Sequence, residues 1–241
     1  MYSHHKFGHQ WDHSPAPHVS YLVCALPRSG SSLLCDVLAG TELAGAPTEY
    51  FDRNQMEAFA REWEVSGTDR YVEALFARKT SPNGVFGLKA FIHQIEEVLG
   101  DRDLDAVFPD LRLVYVRRRD HVRQAVSWAR ASQTGQWASD LPVLRDGPAS
   151  YDAQEIGELV ARIESEEDRW EDLFARRGRE PLRIDYEQLA PDPASAVRRV
   201  FDLVGIEAPP GFEPPAPTLR RQADELSEAW VRRYRDSVTS R

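Results

Sequence analysis

The feature that most constrains this chain is a six-residue apolar run, Tyr21-Leu22-Val23-Cys24-Ala25-Leu26. It stops at Pro27-Arg28-Ser29-Gly30-Ser31-Ser32, after which Leu33, Leu34, Val37 and Leu38 recur at helical spacing. An unbroken apolar run bounded by turn residues reads as a strand buried on both faces, and the following periodicity reads as a helix packed on one face. The loop between them is an anion cradle. Gly30 permits a tight turn, and N–H groups at the helix start point outward where the helix dipole favours negative charge. The hydroxyls of Ser29, Ser31 and Ser32 add donors, and Arg28 adds a fixed cation. A Walker A loop would need a second glycine and a lysine, and no G-x-G-x-x-G is present. A polar turn with no ligand remains the alternative reading of this loop alone.

The same alternation continues along the chain. Gly84–Ala90, Leu111–Val116 and Pro181–Tyr186 read as strands. Helices are expected from Asp120, a capping residue, from about Asp152 to Arg177, from about Pro193 to Val204 and from about Asp224 to Val238. Strands alternating with helices give an α/β fold around a mainly parallel sheet of about four to five strands. Ligands of such sheets sit at the carboxyl ends of the strands. That rule alone brings the Pro27–Ser32 loop, Lys89 and Arg117-Arg118-Arg119-Asp120 to one edge. Ser127 lies about two helical turns beyond Asp120, so an arginine at the strand end and this serine can clamp one phosphate. Two anion grips on one edge suit a ligand with two separated anionic groups.

Length and composition narrow the class. The chain has 241 residues, 41% of them hydrophobic, which is enough for a core and excludes whole-chain disorder. We expect a flexible His-rich leader over residues 1–20 and one domain over residues 21–241. The leader holds His4, His5, His9, His13 and His18. A metal tract is the functional reading, but no Cys or carboxylate cluster accompanies these histidines, so no metal site is expected. The net charge of −9 argues against nucleic acid as partner. No apolar run reaches the length of a membrane span, no signal peptide is visible, and two cysteines make no disulfide framework, so a cytoplasmic location is expected.

Five segments, in order, resemble the 3′-phosphoadenylylsulfate (PAPS)-dependent sulfotransferases, in particular the actinobacterial trehalose 2-sulfotransferase type. Residues 21–34 resemble the 5′-phosphosulfate loop, and Ala-Gly-Ala-Pro-Thr-Glu-Tyr-Phe (44–51) the segment carrying a proposed catalytic glutamate. Residues 81–89 resemble the second strand, 118–128 with 133–137 the 3′-phosphate strand–helix, and 220–235 the C-terminal helix. Ser32 stands where the family often has threonine. The resemblance implies a P-loop-like three-layer fold and transfer of the PAPS sulfuryl group to a hydroxyl of a carbohydrate, glycolipid or glycosylated natural product. It implies that Arg28, Ser29, Gly30, Ser31 and Ser32 hold the 5′-phosphosulfate, with Arg28 also stabilising the leaving group. Arg118 and Ser127 would hold the 3′-phosphate, and Glu49 would be the general base. Tyr50, Phe51 and Lys89 would border the acceptor, no metal would be needed, and a homodimer is expected. Two other classes stay open on the residues: a nucleotide-dependent kinase and a non-catalytic nucleotide-binding module.

Overall fold

A computed structural model of the chain describes residues 11, 14–139, 141–145, 149–220, 222 and 224–239. The elements run β1 (Val19–Ala25), α1 (Ser31–Gly40), α2 (Arg53–Glu62), α3 (Thr68–Lys79), β2 (Val85–Phe91), α4 (Ile92–Leu99), α5 (Leu104–Val107), β3 (Leu111–Arg117) and α6 (His121–Thr134). The remainder is α7 (Ala153–Arg177), β4 (Leu182–Asp185), α8 (Tyr186–Leu189), α9 (Pro193–Val204) and α10 (Glu225–Thr239).

Four strands pair in the order β2-β1-β3-β4, every neighbour parallel. In register, Ala25 pairs with Phe91 and with Val116, so the strands end together and their following loops share one edge. Side chains alternate across the pleat. Leu22 and Cys24 of β1 face a core built with Phe86, Leu88, Tyr115, Ile163 and Trp170. Tyr21 and Val23 face a second core built with Leu34, Leu38, Val114, Val197 and Phe201. A strand buried on both faces has no solvent-facing positions, which is why β1 reads as an unbroken apolar run from Tyr21 onward. The result is a three-layer α/β fold, with α1 and α9 on one face and α3, α4, α6 and α7 on the other.

Local chemistry sets the element ends. Asp120 caps α6 by accepting from Arg123 N–H at 3.1 Å, and Asp152 caps the 25-residue α7 by accepting from Gln154 and Glu155 N–H. Trp170 of α7 donates its indole N–H to the Ala25 carbonyl at 3.1 Å, tying the long helix to the last residue of β1.

The strand start differs from expectation. β1 begins at Val19, Pro17 is buried, and the His18 N–H donates to the Gly84 carbonyl at 3.0 Å, so the last residues assigned to the leader join the sheet. The histidines at 4, 5, 9 and 13 lie outside the described residues. Cys24 and Cys35 are both free and buried. Among the described residues no helix is long and apolar enough to cross a membrane.

Candidate active site at the carboxyl edge of the sheet

A cavity of about 930 Å³ opens where the strands end, lined by Arg28, Gly30–Ser32, Glu49, Lys89, Gln94, Arg118 and Ser127, and closed on one side by the segment leading into α10. The loop that builds its floor is strained in a purposeful way. Arg28 (φ 63) and Gly30 (φ 95) both lie in the left-handed region, and the Gly30 carbonyl accepts the first bonds of α1 from Leu33 and Leu34. A Cβ on Gly30 would stand 2.5 Å from Cδ2 of Tyr186, so both backbone and neighbour demand glycine there.

Arg28 belongs to both expected grips. Its Nε donates to Ser127 Oγ at 2.9 Å, and its terminal nitrogens donate to the Trp137 carbonyl and to Gln222 Oε1. The loop after β1 is thereby stitched to α6, to the loop beyond it and to the segment before α10. Ser31 and Ser32 line the cavity. Ser29 does not: its hydroxyl is fully buried without a hydrogen-bond partner, and its N–H donates to the Leu26 carbonyl at 3.3 Å. The expectation that this hydroxyl faces the anion is corrected accordingly.

The three successive arginines after β3 separate cleanly. Arg117 donates to Asp185 at 2.7 Å and Arg119 bonds the other oxygen of the same carboxylate. Both guanidinium groups hold that carboxyl below its usual range, against the opposing effect of its burial. Arg118, pointing between them to the other side, lines the cavity instead. It is 8% exposed, packs its guanidinium 4.6 Å over the Tyr186 ring, and leaves a buried Nε with no partner. Burial pulls its pKa down. A guanidinium stays protonated regardless, so a buried one with an unmet donor favours an anion opposite it.

Glu49 is placed by the end of β2. The Lys89 N–H donates to the Thr48 carbonyl at 3.0 Å, and a tight turn leads on to Asp52, which caps α2 by accepting from Gln55 N–H. The Lys89 ammonium sits 2.6 Å from Glu49 Oε1 and donates to Ser32 Oγ at 3.0 Å. The lysine thus links the carboxylate to the anion loop. Gln94 donates to Glu49 Oε2 at 3.4 Å.

Tyr50 and Phe51 do not border the cavity. Tyr50 is fully buried with its hydroxyl donated to the Ala46 carbonyl, and Phe51 is 2% exposed and packs against Phe108. One residue past Glu49 the chain turns into the core, so these rings are packing residues rather than a sugar platform. The residues absent from the sequence reading, Gln94, Tyr186 and Gln222, come from a helix N-terminus, a short helix after β4 and a connector. Only Gln94 left a signal, standing three positions after a strand end as a capping residue does.

Other polar groups fasten α10 over the cavity. Arg130 bonds both oxygens of Asp224, at 2.5 and 2.9 Å, and Arg123 pairs with Glu228. Arg235 reaches back to both oxygens of Asp120. Among the described residues no group of His, Cys, Asp and Glu could hold a metal ion.

A parallel α/β sheet that brings a basic loop, a buried arginine and a lysine-paired carboxylate to one edge makes that edge the candidate ligand site. Residues 20–237 match the model of the Stf0 sulphotransferase family, and the chain belongs to that family. It is a sulfotransferase. It is 32% identical over 254 residues to the trehalose 2-sulfotransferase of Mycolicibacterium smegmatis (strain ATCC 700084 / mc(2)155), covering 90% of this chain and 94% of the relative. The trehalose 2-sulfotransferase of Mycobacterium tuberculosis (strain ATCC 35801 / TMC 107 / Erdman) is 33% identical, with coverages of 89% and 94%. Among solved structures, the sulfotransferase domain of the Synechococcus PCC 7002 olefin synthase aligns with a TM-score of 0.46 at 18% identity, covering 83% of this chain and 77% of that one. The sulfotransferase domain from the curacin biosynthetic pathway aligns with a TM-score of 0.43 at 13% identity, covering 94% and 98%.

Proposed function

We propose that this sulfotransferase uses PAPS as donor and a hydroxyl of a carbohydrate, glycolipid or glycosylated natural product as acceptor, with Glu49 as general base. The observation that carries the reading is the chain Glu49–Lys89–Ser32, which joins a carboxylate to the anion loop within one cavity. PAPS supplies an activated sulfuryl group on its 5′-phosphate. On this reading the amides of the loop with Ser31 and Ser32 hold that end, and Arg118 with Ser127 holds the 3′-phosphate. The unmet Arg118 Nε supports this fit.

Transfer of a sulfuryl group is driven by positioning and by stabilising charge on the leaving group, by analogy with phosphoryl transfer. Glu49 takes the proton of the attacking hydroxyl as the new O–S bond forms and the bond to the 5′-phosphate breaks. Lys89 faces the charge that moves between these two oxygens. Arg28 steadies the loop on the leaving-group side through Ser127 and Trp137. The relatives are trehalose 2-sulfotransferases, which makes a sugar hydroxyl the first acceptor to test.

The test is transfer of ³⁵S label from PAPS to trehalose and to a panel of sugars and glycosides, in EDTA, beside a parallel reaction with γ-labelled ATP. Sulfated product without added metal is expected. Phosphorylated product that depends on Mg²⁺ would overturn the reading in favour of a kinase.

A further inference from the structure

We propose that Gln94 is a positioning residue for the Glu49 carboxylate. For its catalytic meaning the inference rests on the general-base reading above. Gln94 is 5% exposed and sits at the third position of α4, where its side chain reaches back to the residue before the helix. The Phe91 N–H donates to Gln94 Oε1 at 2.9 Å. An N–H can only donate, so this contact fixes the amide oxygen toward the backbone and turns the NH₂ group toward Glu49, whose carboxylate can only accept. The Gln94 Nε2 to Glu49 Oε2 separation is 3.4 Å, at the long end of hydrogen-bond range.

Glu49 is therefore held from two sides. Lys89, the last-but-two residue of β2, takes Oε1, and Gln94, the first turn of the next helix, takes Oε2. With both oxygens engaged the carboxylate has one orientation, set by the junction between β2 and α4 as well as by its own turn. A base on an otherwise free turn would sample several rotamers, only one of which meets the acceptor proton. The other titratable groups around it are Cys35 on α1, whose thiol burial pushes up to about 12, and Asp52 and His93, which line the same cavity. The arginines lining the rest keep their charge throughout.

The test reads the carboxylate directly. With ¹³C-labelled glutamate, the Glu49 carboxyl signal is assigned by its disappearance in Glu49→Gln and titrated in wild type, Gln94→Leu and Gln94→Glu. Gln94→Leu removes a bond to the charged form and is expected to raise the titration midpoint by about one pH unit. Gln94→Glu keeps an oxygen for the Phe91 N–H, so that contact survives, and it sets a second carboxylate beside the first. Its midpoint is expected to rise further. With the sugar acceptor and PAPS, both variants are expected to lose about tenfold or more in kcat while calorimetric affinity for 3′-phosphoadenosine 5′-phosphate (PAP) stays unchanged. Midpoints that stay at the wild-type value in both variants would overturn the positioning role. Glu49→Gln with undiminished turnover would overturn the general-base reading instead, even where the midpoints move.

Discussion

The proposed reading gives Glu49 and Arg118 separable duties, and substitution should separate them. Glu49→Gln keeps size and hydrogen bonding but removes the base. A drop in kcat of about 10²–10⁴ with unchanged PAP affinity is expected from single-turnover kinetics and calorimetry. Arg28→Ala should do both, weakening nucleotide binding and slowing transfer, because Arg28 stands in the loop and also bonds Ser127. Gly30→Ala combines left-handed backbone with a clash on Tyr186, the ring that supports Arg118, so a lowered Tm and weaker PAP binding should appear together. Arg28, Gly30 and the arginine run after β3 were legible from strand ends and spacing, whereas Glu49 was legible only through the family resemblance. The choice among Arg117, Arg118 and Arg119 was not, since it depends on Asp185, which arrives from a strand 68 residues beyond Arg117. Nor was the burial of Tyr50 and Phe51, because a Glu-Tyr-Phe triplet in a turn gives no sign of which way each ring faces.

At the scale of elements, β1, β3, α6, α7, α9 and α10 each announced themselves by an apolar run, a long period or a cap. The four helices between α1 and β3 did not. α2 buries only Phe59 and is dense in charge, α5 spans four residues, and α4 begins at the residue after β2 ends. Periodicity needs a longer or more one-sided stripe than these provide. α10 packs Trp230 and Val231 into the core and is also held over the cavity by ion pairs, and these have a pH consequence. The Arg130 guanidinium, its main partner, lowers the Asp224 carboxyl to about 2. A carboxyl depressed in the folded state contributes stability above its ordinary value of about 3.9, and loses that contribution as pH falls through the folded value. The pair is half exposed, so its worth is at most about 1 kcal/mol. Amide protection factors, corrected for intrinsic exchange that itself slows as pH falls, are expected to drop in α10 before the sheet as pH falls from about 4 toward 2, and Asp224→Asn should lessen that drop, with the Arg123–Glu228 and Arg235–Asp120 pairs supplying the rest.

At the scale of the molecule, an acidic chain of net charge −9 brings Arg28, Lys89, Arg118, Arg123 and Arg130 to one cavity at the sheet edge. Such a contrast draws an anionic ligand to one place and makes binding sensitive to salt. The two-grip account assigns separate work to the loop after β1 and to Arg118. Calorimetry of PAP against AMP, in EDTA and at one ionic strength, tests it most directly. The two nucleotides share the base, the sugar and the 5′-phosphate, and differ only at the 3′-phosphate. A charge-assisted contact is worth about 1.5–3 kcal/mol, so PAP is expected to bind at least about tenfold more tightly than AMP, with the difference largely erased in Arg118→Ala. Equal affinities of PAP and AMP for the unsubstituted chain would contradict the account.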